Sequence, residues 1–263
     1  MKLDKEKAES ARKELFDYIA KLEASGRIVK PHSEINPKVQ MKIGTRQTKI
    51  SVVPIDVISA TIQAKKNNPN AKIAILNFAS YKNPGGGFMG NSYAQEEAIC
   101  YCTNLYQELC RNRGWYSNHY KLNNGLYENE SILSHNITVV AYQLGKLLKP
   151  DDVFYIDVLT CAAPNATSIL RYKPQLINTI APASRERTIY ATNILTSMEY
   201  DIVILGAFGC GVFKNDPKVV ADAFKEALSK NYGNFEQVVF AIPDESSNNF
   251  KAFKETFPMQ EGK

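Results

Sequence analysis

Two acids in succession, Glu96 and Glu97, follow Gln95 shortly after a run of three glycines, Gly85, Gly86 and Gly87. The glycines remove every Cβ from their stretch, which opens unusual backbone angles and lets a ligand lie against the main chain. Before them, Ile73 to Phe78 is a short apolar run that reads as a buried strand; behind them, Ala98, Cys102, Leu105 and Leu109 recur at helical spacing. Glycines and carboxylates therefore share one strand-to-helix junction. The first turn of such a helix leaves N–H groups unpaired and favours an anion, so the expected object is a ligand cradle with two acids on its rim. A single glycine or glutamate at a helix start is ordinary capping chemistry, the acid favouring the macrodipole. Three consecutive glycines are not, because such a loop loses folding entropy unless something requires close backbone approach. Consecutive helical residues point about 100° apart, so Glu96 and Glu97 cannot do the same job.

A second junction repeats the arrangement. Asp201 to Leu205 reads as a strand, Gly206 to Asn215 as a glycine loop, and Asp216-Pro217 as the cap and first residue of a helix that buries Val220, Ala223, Phe224 and Ala227. Main-chain amides in such a loop can surround a phosphate or diphosphate. Gly206 and Gly211 are spaced as in a Walker loop, but Val212 and Phe213 stand where Lys and Ser/Thr are needed. Gly85, Gly87 and Gly90 match the dinucleotide pattern, yet the place for its acidic residue, about twenty positions on, still reads as helix. His32, His119 and His135 have no ligand-like spacing and the cysteines form no zinc pattern, so neither a metal nor another cofactor is expected. Cys210 could be a nucleophile, but no histidine lies near it in sequence, and a small wall residue is the simpler reading.

At 263 residues, 44% hydrophobic and 22% charged, the chain has material for one large domain or two small ones. Its net charge of +5 comes from 32 basic and 27 acidic residues without a dense basic cluster, which speaks against a sequence-specific nucleic-acid interface and suits an anionic small ligand. No apolar run reaches the roughly 18 residues of a membrane span, and Met1 to Ser10 is polar rather than signal-like. The expectation is a cytoplasmic, soluble monomer with no membrane partner and reduced thiols. In chain order, Leu3 to Leu22 reads as a docking helix ended by Gly26, and the stretch through Pro31 and Pro37 as a linker. Thr48 to Pro54 reads as a strand, with Asp56 opening the next helix. Arg111 to Pro150 reads as an insertion with short strands, including a β-like run at Ile137 to Tyr142. Val153 to Cys161 reads as a strand, Arg185 to Met198 as a helix, Val238 to Pro243 as the last strand and Phe250 to Phe257 as a closing helix.

Leu-Asn-Phe-Ala-Ser at 76–80, the glycine triplet with Gln-Glu-Glu, Ala-Pro-Asn at 163–165 and the Gly206 to Pro217 loop together resemble the bacterial-type poly(ADP-ribose) glycohydrolases. The resemblance covers most of the chain. It implies an α/β fold, a three-layer α/β/α macrodomain with a mixed central sheet and an added N-terminal helix: residues 1–46 as an extension and linker packed on the core, and 47–263 as the catalytic domain. ADP-ribose would lie across the carboxyl ends of the strands, where open α/β sheets place ligands. The substrate would be ADP-ribose polymer or ADP-ribosylated proteins, with release of ADP-ribose. The resemblance assigns Glu97 as the catalytic acid and Glu96 as the neighbour that holds ribose hydroxyls, with Gln95 fixing the carboxylates. Gly85, Gly86 and Gly87 would line the distal ribose and diphosphate; Gly209, Cys210, Gly211, Val212 and Phe213 would wrap the diphosphate from the other side. Asn77, Ser80 and Asn165 match motif positions, and Asp56 is placed where macrodomains keep an acid near the adenine amine. Cleaving a ribosyl bond through an oxocarbenium-like state needs a proton for the leaving oxygen and a water for the anomeric carbon. A helix N-terminus lowers a carboxyl pKa while a general acid wants it raised; bound diphosphate and the Glu96 charge would push that of Glu97 back up. A hydrolase of mono-ADP-ribosyl groups, or a macrodomain that only binds ADP-ribose, are the alternatives.

Overall fold

The computed structural model describes residues 1–40, 44–122, 124–230 and 233–258. The chain opens with α1 (Lys5–Ala24) and the strand β1 (His32–Ile35), then β2 (Lys49–Val53), α2 (Val57–Asn67) and β3 (Ile73–Phe78). Three helices follow, α3 (Gln95–Cys102), α4 (Leu105–Arg111) and α5 (Arg113–Leu122), then β4 (Ser131–Val139) and the small hairpin β5 (Ala141–Gln143) and β6 (Lys146–Leu147). The last part is β7 (Phe154–Cys161), α6 (Ala166–Tyr172), α7 (Ile177–Ser197), β8 (Ile202–Leu205), α8 (Pro217–Lys230), β9 (Gln237–Ala241) and α9 (Asn248–Thr256).

The main sheet has the strand order β1-β4-β7-β3-β8-β9-β2. Its strands from β7 to β2 pair in parallel, and β4 and β1 add antiparallel pairings on the other side. β8 is apolar throughout, and β3 from Ile73 to Leu76, because both faces are covered. In β3, Ile73 and Ile75 join the cluster under α1, α2 and α3, whereas Ala74 and Leu76 join the one under α7, α8 and α9. Ile202 and Ile204 divide from Val203 and Leu205 in the same way along β8. The result is the expected three-layer α/β/α arrangement with a mixed sheet. Chain direction also places the site. β3 leads into α3 on one face and its neighbour β8 into α8 on the other, so a crevice opens between their carboxyl ends.

Several local expectations are corrected. Residues 32–35 of the presumed linker form β1, which pairs His32 to Ile35 with β4 at the sheet edge; residues 41–43 of the N-terminal segment lie outside the described residues. The region from Arg111 to Pro150 is no insertion of short strands, since β4 runs through nine residues and pairs with β7 and β1. Its buried Ser131, Ser134 and Thr138 and a register shift at His135–Asn136, where Asn136 takes a φ of 57°, break the apolar pattern. The helix after the glycine loop is two helices. Thr103 is extended and bridges to Val139, its hydroxyl donating to the Ile99 carbonyl and accepting from the Leu105 N–H that opens α4. Helix α7 begins at Ile177 rather than Arg185, because it continues through Pro182, and α6 was not anticipated.

Candidate active site

The loop between β3 and α3 brings the glycines onto the carboxylates. Gly86, at a φ of 61°, is held by the turn in which its N–H donates to Asn83 O at 3.0 Å. A Cβ on Gly86 would stand 2.6 Å from Glu97 Oε1 and 2.8 Å from Glu96 Oε2, so the main chain occupies space that both carboxylates border. Glu97 Oε1 accepts from Gly87 N–H at 2.7 Å, and its Oε2 reaches back to Ala94 N–H at 2.8 Å, the acid's half of a capping box. Glu96 turns the other way: Ser80 N–H donates to its Oε2 at 2.6 Å and Asn77 Nδ2 to its Oε1 at 3.3 Å. Only 4% of Glu96 is exposed, and this burial, aided by the neighbouring Glu97 charge, pushes its carboxyl up to about 8 against the pull of the Ser80 N–H and Asn77 amide.

Gln95 explains the first letter of the motif. Its Nε2 donates to Leu76 O at 2.7 Å and its Oε1 accepts from Phe78 N–H at 2.9 Å, just beyond the Ile73–Ile75 stretch paired with β8. One side chain thus substitutes for a missing strand partner and anchors the start of α3. The N-terminal segment holds the loop's far side. Buried Arg12 donates from Nη1 to Phe88 O at 2.9 Å and Gly90 O at 2.6 Å, while Leu3 N–H donates to Asn91 O and Tyr93 N–H to Met1 O.

The second glycine loop faces the first. Gly209 has a φ of 72°, and a Cβ there would stand 2.5 Å from both Ala163 Cβ and Asn215 Nδ2. Buried Asn215 donates to Pro164 O at 2.8 Å and to Gly209 O at 3.2 Å, tying this loop to the one after β7. Gly211, by contrast, has no neighbour within 4 Å of a built Cβ.

Between the loops lies a cleft of about 370 Å³. Of the residues singled out in the sequence, Ser80, Gly86, Gly87, Gln95, Glu96, Glu97, Gly209, Gly211, Val212 and Phe213 line it. Asn77, Gly85, Asn165 and Cys210 do not. Asn77 sits beneath Glu96, also donating to Thr160; Asn165 caps α6 through Ser168 N–H; Cys210 is buried, with burial and then Asp216 raising its thiol to about 12, which disfavours a thiolate nucleophile. Asp56 accepts from Ile58 N–H, Ser59 N–H and the Ser59 hydroxyl as the cap of α2, and does not line the cleft.

A family model described as the catalytic domain of microbial-type PARG matches residues 4–141. The chain belongs to this family, the microbial-type poly(ADP-ribose) glycohydrolases. It is similar to the poly(ADP-ribose) glycohydrolase of Deinococcus radiodurans in complex with ADP-ribose, with 33% identity and a TM-score of 0.74 over 82% of this chain and 86% of the other. It is also similar to the Thermomonospora curvata enzyme bound to the inhibitor ADP-HPD, at 28% identity and a TM-score of 0.73, covering 86% and 85%. No curated protein matches it. In this glycohydrolase the cleft wall also includes Phe78, Asn83, Ala94, Ala163 and Phe208, which sequence reasoning passed over. Each stands inside or beside a quoted motif, so their signal was adjacency. Arg12 carried no local signal, because a basic residue on an N-terminal helix reads as solvated surface. Among the described residues, no group of three or more His, Cys, Asp or Glu side chains is arranged to hold a metal, and no helix is long and apolar enough to cross a membrane.

Proposed function

We propose that this glycohydrolase cleaves ribose–ribose O-glycosidic bonds of ADP-ribose polymer and releases ADP-ribose, with Glu97 as general acid and then base. The observation that carries the reading is the contact of Gly86 with both carboxylates: a sugar seated on that bare backbone meets two acids at once. Gly86 and Gly87 would support the distal ribose, Glu96 would hold its hydroxyls, and Gly209 to Phe213 would surround the diphosphate with main-chain amides. Glu97 protonates the bridging glycosidic oxygen, which leaves as the adjoining ribose hydroxyl as its bond to the anomeric carbon breaks with oxocarbenium character; Glu97 then takes a proton from the attacking water, which the substrate's own diphosphate helps to place. Asn77, Gln95 and Arg12 act at one remove, orienting Glu96, α3 and the loop. Residues 1–46 are read as an extension of a catalytic domain spanning 47–263, serving to brace the glycine loop.

One observation favours a second assignment of the proton. Glu96, pushed up to about 8, carries a proton at neutral pH in the free cleft and could supply it to the leaving group directly or through Glu97. Paired substitutions separate the two. Glu97→Gln should keep ADP-ribose affinity, measured by calorimetry, and lose at least ~10²-fold in turnover of polymer-modified protein. Equal activity in wild type and variant would remove Glu97 from the mechanism and pass the role to Glu96. Running polymer-modified and mono-modified proteins side by side, with free ADP-ribose as readout, distinguishes polymer cleavage from mono-ADP-ribosyl hydrolysis and from simple binding.

A further inference from the structure

Beside the cleft, on the outer side of the first glycine loop, lies a groove of about 390 Å³ between that loop and α5. Asn83 lines both cavities, whereas none of Gly209 to Phe213 lines the groove. The groove therefore joins the cleft on the side away from the second glycine loop. Three cations line it, Lys82, Arg113 and Lys121, and none of them makes an ion pair with a described residue. Two tyrosines complete it. Tyr120 is 62% exposed, an open ring whose centroid lies 5.7 Å from Lys82 Nζ. Tyr116 is 2% exposed, and its hydroxyl has no hydrogen-bond partner among the described residues. Burial first, and then the Glu96 charge, raise the Tyr116 phenol well above its ordinary value, so the ring stays neutral.

Resting on the polymer reading above, we infer that this groove is the leaving-group subsite and takes the next ADP-ribose unit of the chain, a nucleoside diphosphate. A terminal unit whose diphosphate lies on Gly209 to Phe213 and whose anomeric carbon faces Glu97 would direct its leaving oxygen away from that second loop, toward Asn83, which lines both cavities. The group attached there is the ribose of the adjoining unit, with an adenine on one side and a diphosphate on the other. The exposed Tyr120 ring suits stacking of the base, as single-stranded nucleic-acid sites use aromatic faces. Lys82, Arg113 and Lys121 suit the diphosphate. Polymer and mono-ADP-ribosylated protein are identical on the cleft side and differ only here, so the groove is where this enzyme tells them apart.

The test uses the full chain with Lys82→Ala combined with Arg113→Ala, and separately Tyr120→Ala, against ADP-ribose polymer. KM for polymer should rise about tenfold in the double variant, with kcat little changed and the salt dependence of KM flattened. ADP-ribose affinity by calorimetry should stay within about twofold, because the free product fills only the cleft, and Lys82→Arg should retain the wild-type KM. Thermal unfolding of each variant confirms that the fold is intact. Unchanged KM and salt dependence in both the double variant and Tyr120→Ala would overturn the groove while leaving the polymer reading standing. Oligoadenylate competing as well as polymer in wild type, and losing that competition in the double variant, would make the groove a nucleic-acid site and overturn the proposal. Wild type that frees ADP-ribose from mono-modified protein but not from polymer would sink the underlying reading, and the groove with it.

Discussion

Glu96→Gln separates the electrostatic cost of the site from its chemistry. Burial and the Glu97 charge raise the Glu96 carboxyl from an ordinary 4.5 to about 8 in the folded chain. Between those values the folded state keeps a proton that the unfolded state has released. Stability therefore falls as pH rises through the window, and the loss levels off once pH exceeds the folded value. Ionising Glu96 in place costs at most on the order of 5 kcal/mol. A glutamine escapes that cost: it is neutral at every pH, and its Oε1 can still accept from the Ser80 N–H that now bonds Glu96 at 2.6 Å. Relative to wild type the variant should be about equal at pH 5 and more stable at pH 9, by up to roughly 10 °C in Tm for a domain of this size. Thermal unfolding followed by circular dichroism at pH 5, 7 and 9 measures the difference, and comparing the two proteins cancels every other titrating group. The same variant should also be impaired in turnover, chiefly because the amide holds the ribose hydroxyls less well than the carboxyl does. A Tm gap that is the same at all three pH values, or that closes as pH rises, would refute the assignment of a buried, proton-holding Glu96.

The two glycine loops predict opposite behaviour. Gly86→Ala should lose most ADP-ribose binding and some stability, because its Cβ meets both carboxylates and the backbone sits at positive φ; Gly211→Ala should unfold like wild type, having open space around it, yet bind ADP-ribose more weakly by calorimetry if its amide serves the diphosphate. At the opposite end of the sheet, the Asp157 hydrogen bond raises His135, while burial alone would raise Asp157 and the His135 bond and charge outweigh it and hold that carboxyl low. The pair's stabilisation is full between the ordinary values of 3.8 and 6.5 and fades as pH rises through the raised His135 value or falls through the lowered Asp157 value, so His135→Asn should cost more Tm at pH 5.5 than at pH 9. Hydrolysis should proceed unchanged in excess EDTA; activity lost to the chelator and restored by a divalent ion would reveal a metal role built from scattered acids.

What could be read in the sequence was what is decided locally. β8 and the Ile73–Leu76 part of β3 are apolar runs because both faces are buried, and Gly85, Gly86 and Gly209 are demanded by the backbone itself, as their positive φ shows. Asp216 and Pro217 begin α8 as capping chemistry predicts, with Lys218 N–H donating to Asp216 Oδ1 at 2.8 Å. What stayed hidden depends on partners far along the chain. β4 buries serines that find hydrogen-bonding company only in the folded sheet, such as Ser134 with Ser33 at 3.0 Å. β1 has the composition of a linker and becomes a strand because β4 offers an edge. Arg12 braces carbonyls 76 and 78 positions away, a role that no window of sequence contains.

The order Gln-Glu-Glu follows from helix geometry. The three side chains leave the first turn of α3 about 100° apart, and each direction meets a different neighbour. Gln95 faces the exposed end of β3, where an amide is needed because it must donate to Leu76 and accept from Phe78 together; a glutamate there would be unable to donate. Glu96 faces inward to Ser80 and Asn77, where burial raises its pKa and keeps it protonated at neutral pH. Glu97 faces the glycine loop, where two main-chain N–H groups orient its carboxylate beside the bare backbone of Gly86. Exchanging any neighbouring pair that differs would put an amide where an acid is bonded or an acid where an amide is needed. The adjacency that looked like redundancy between two acids is thus a division of work, one acid set by burial and the other by the main chain, with the helix start fixing the angle between them.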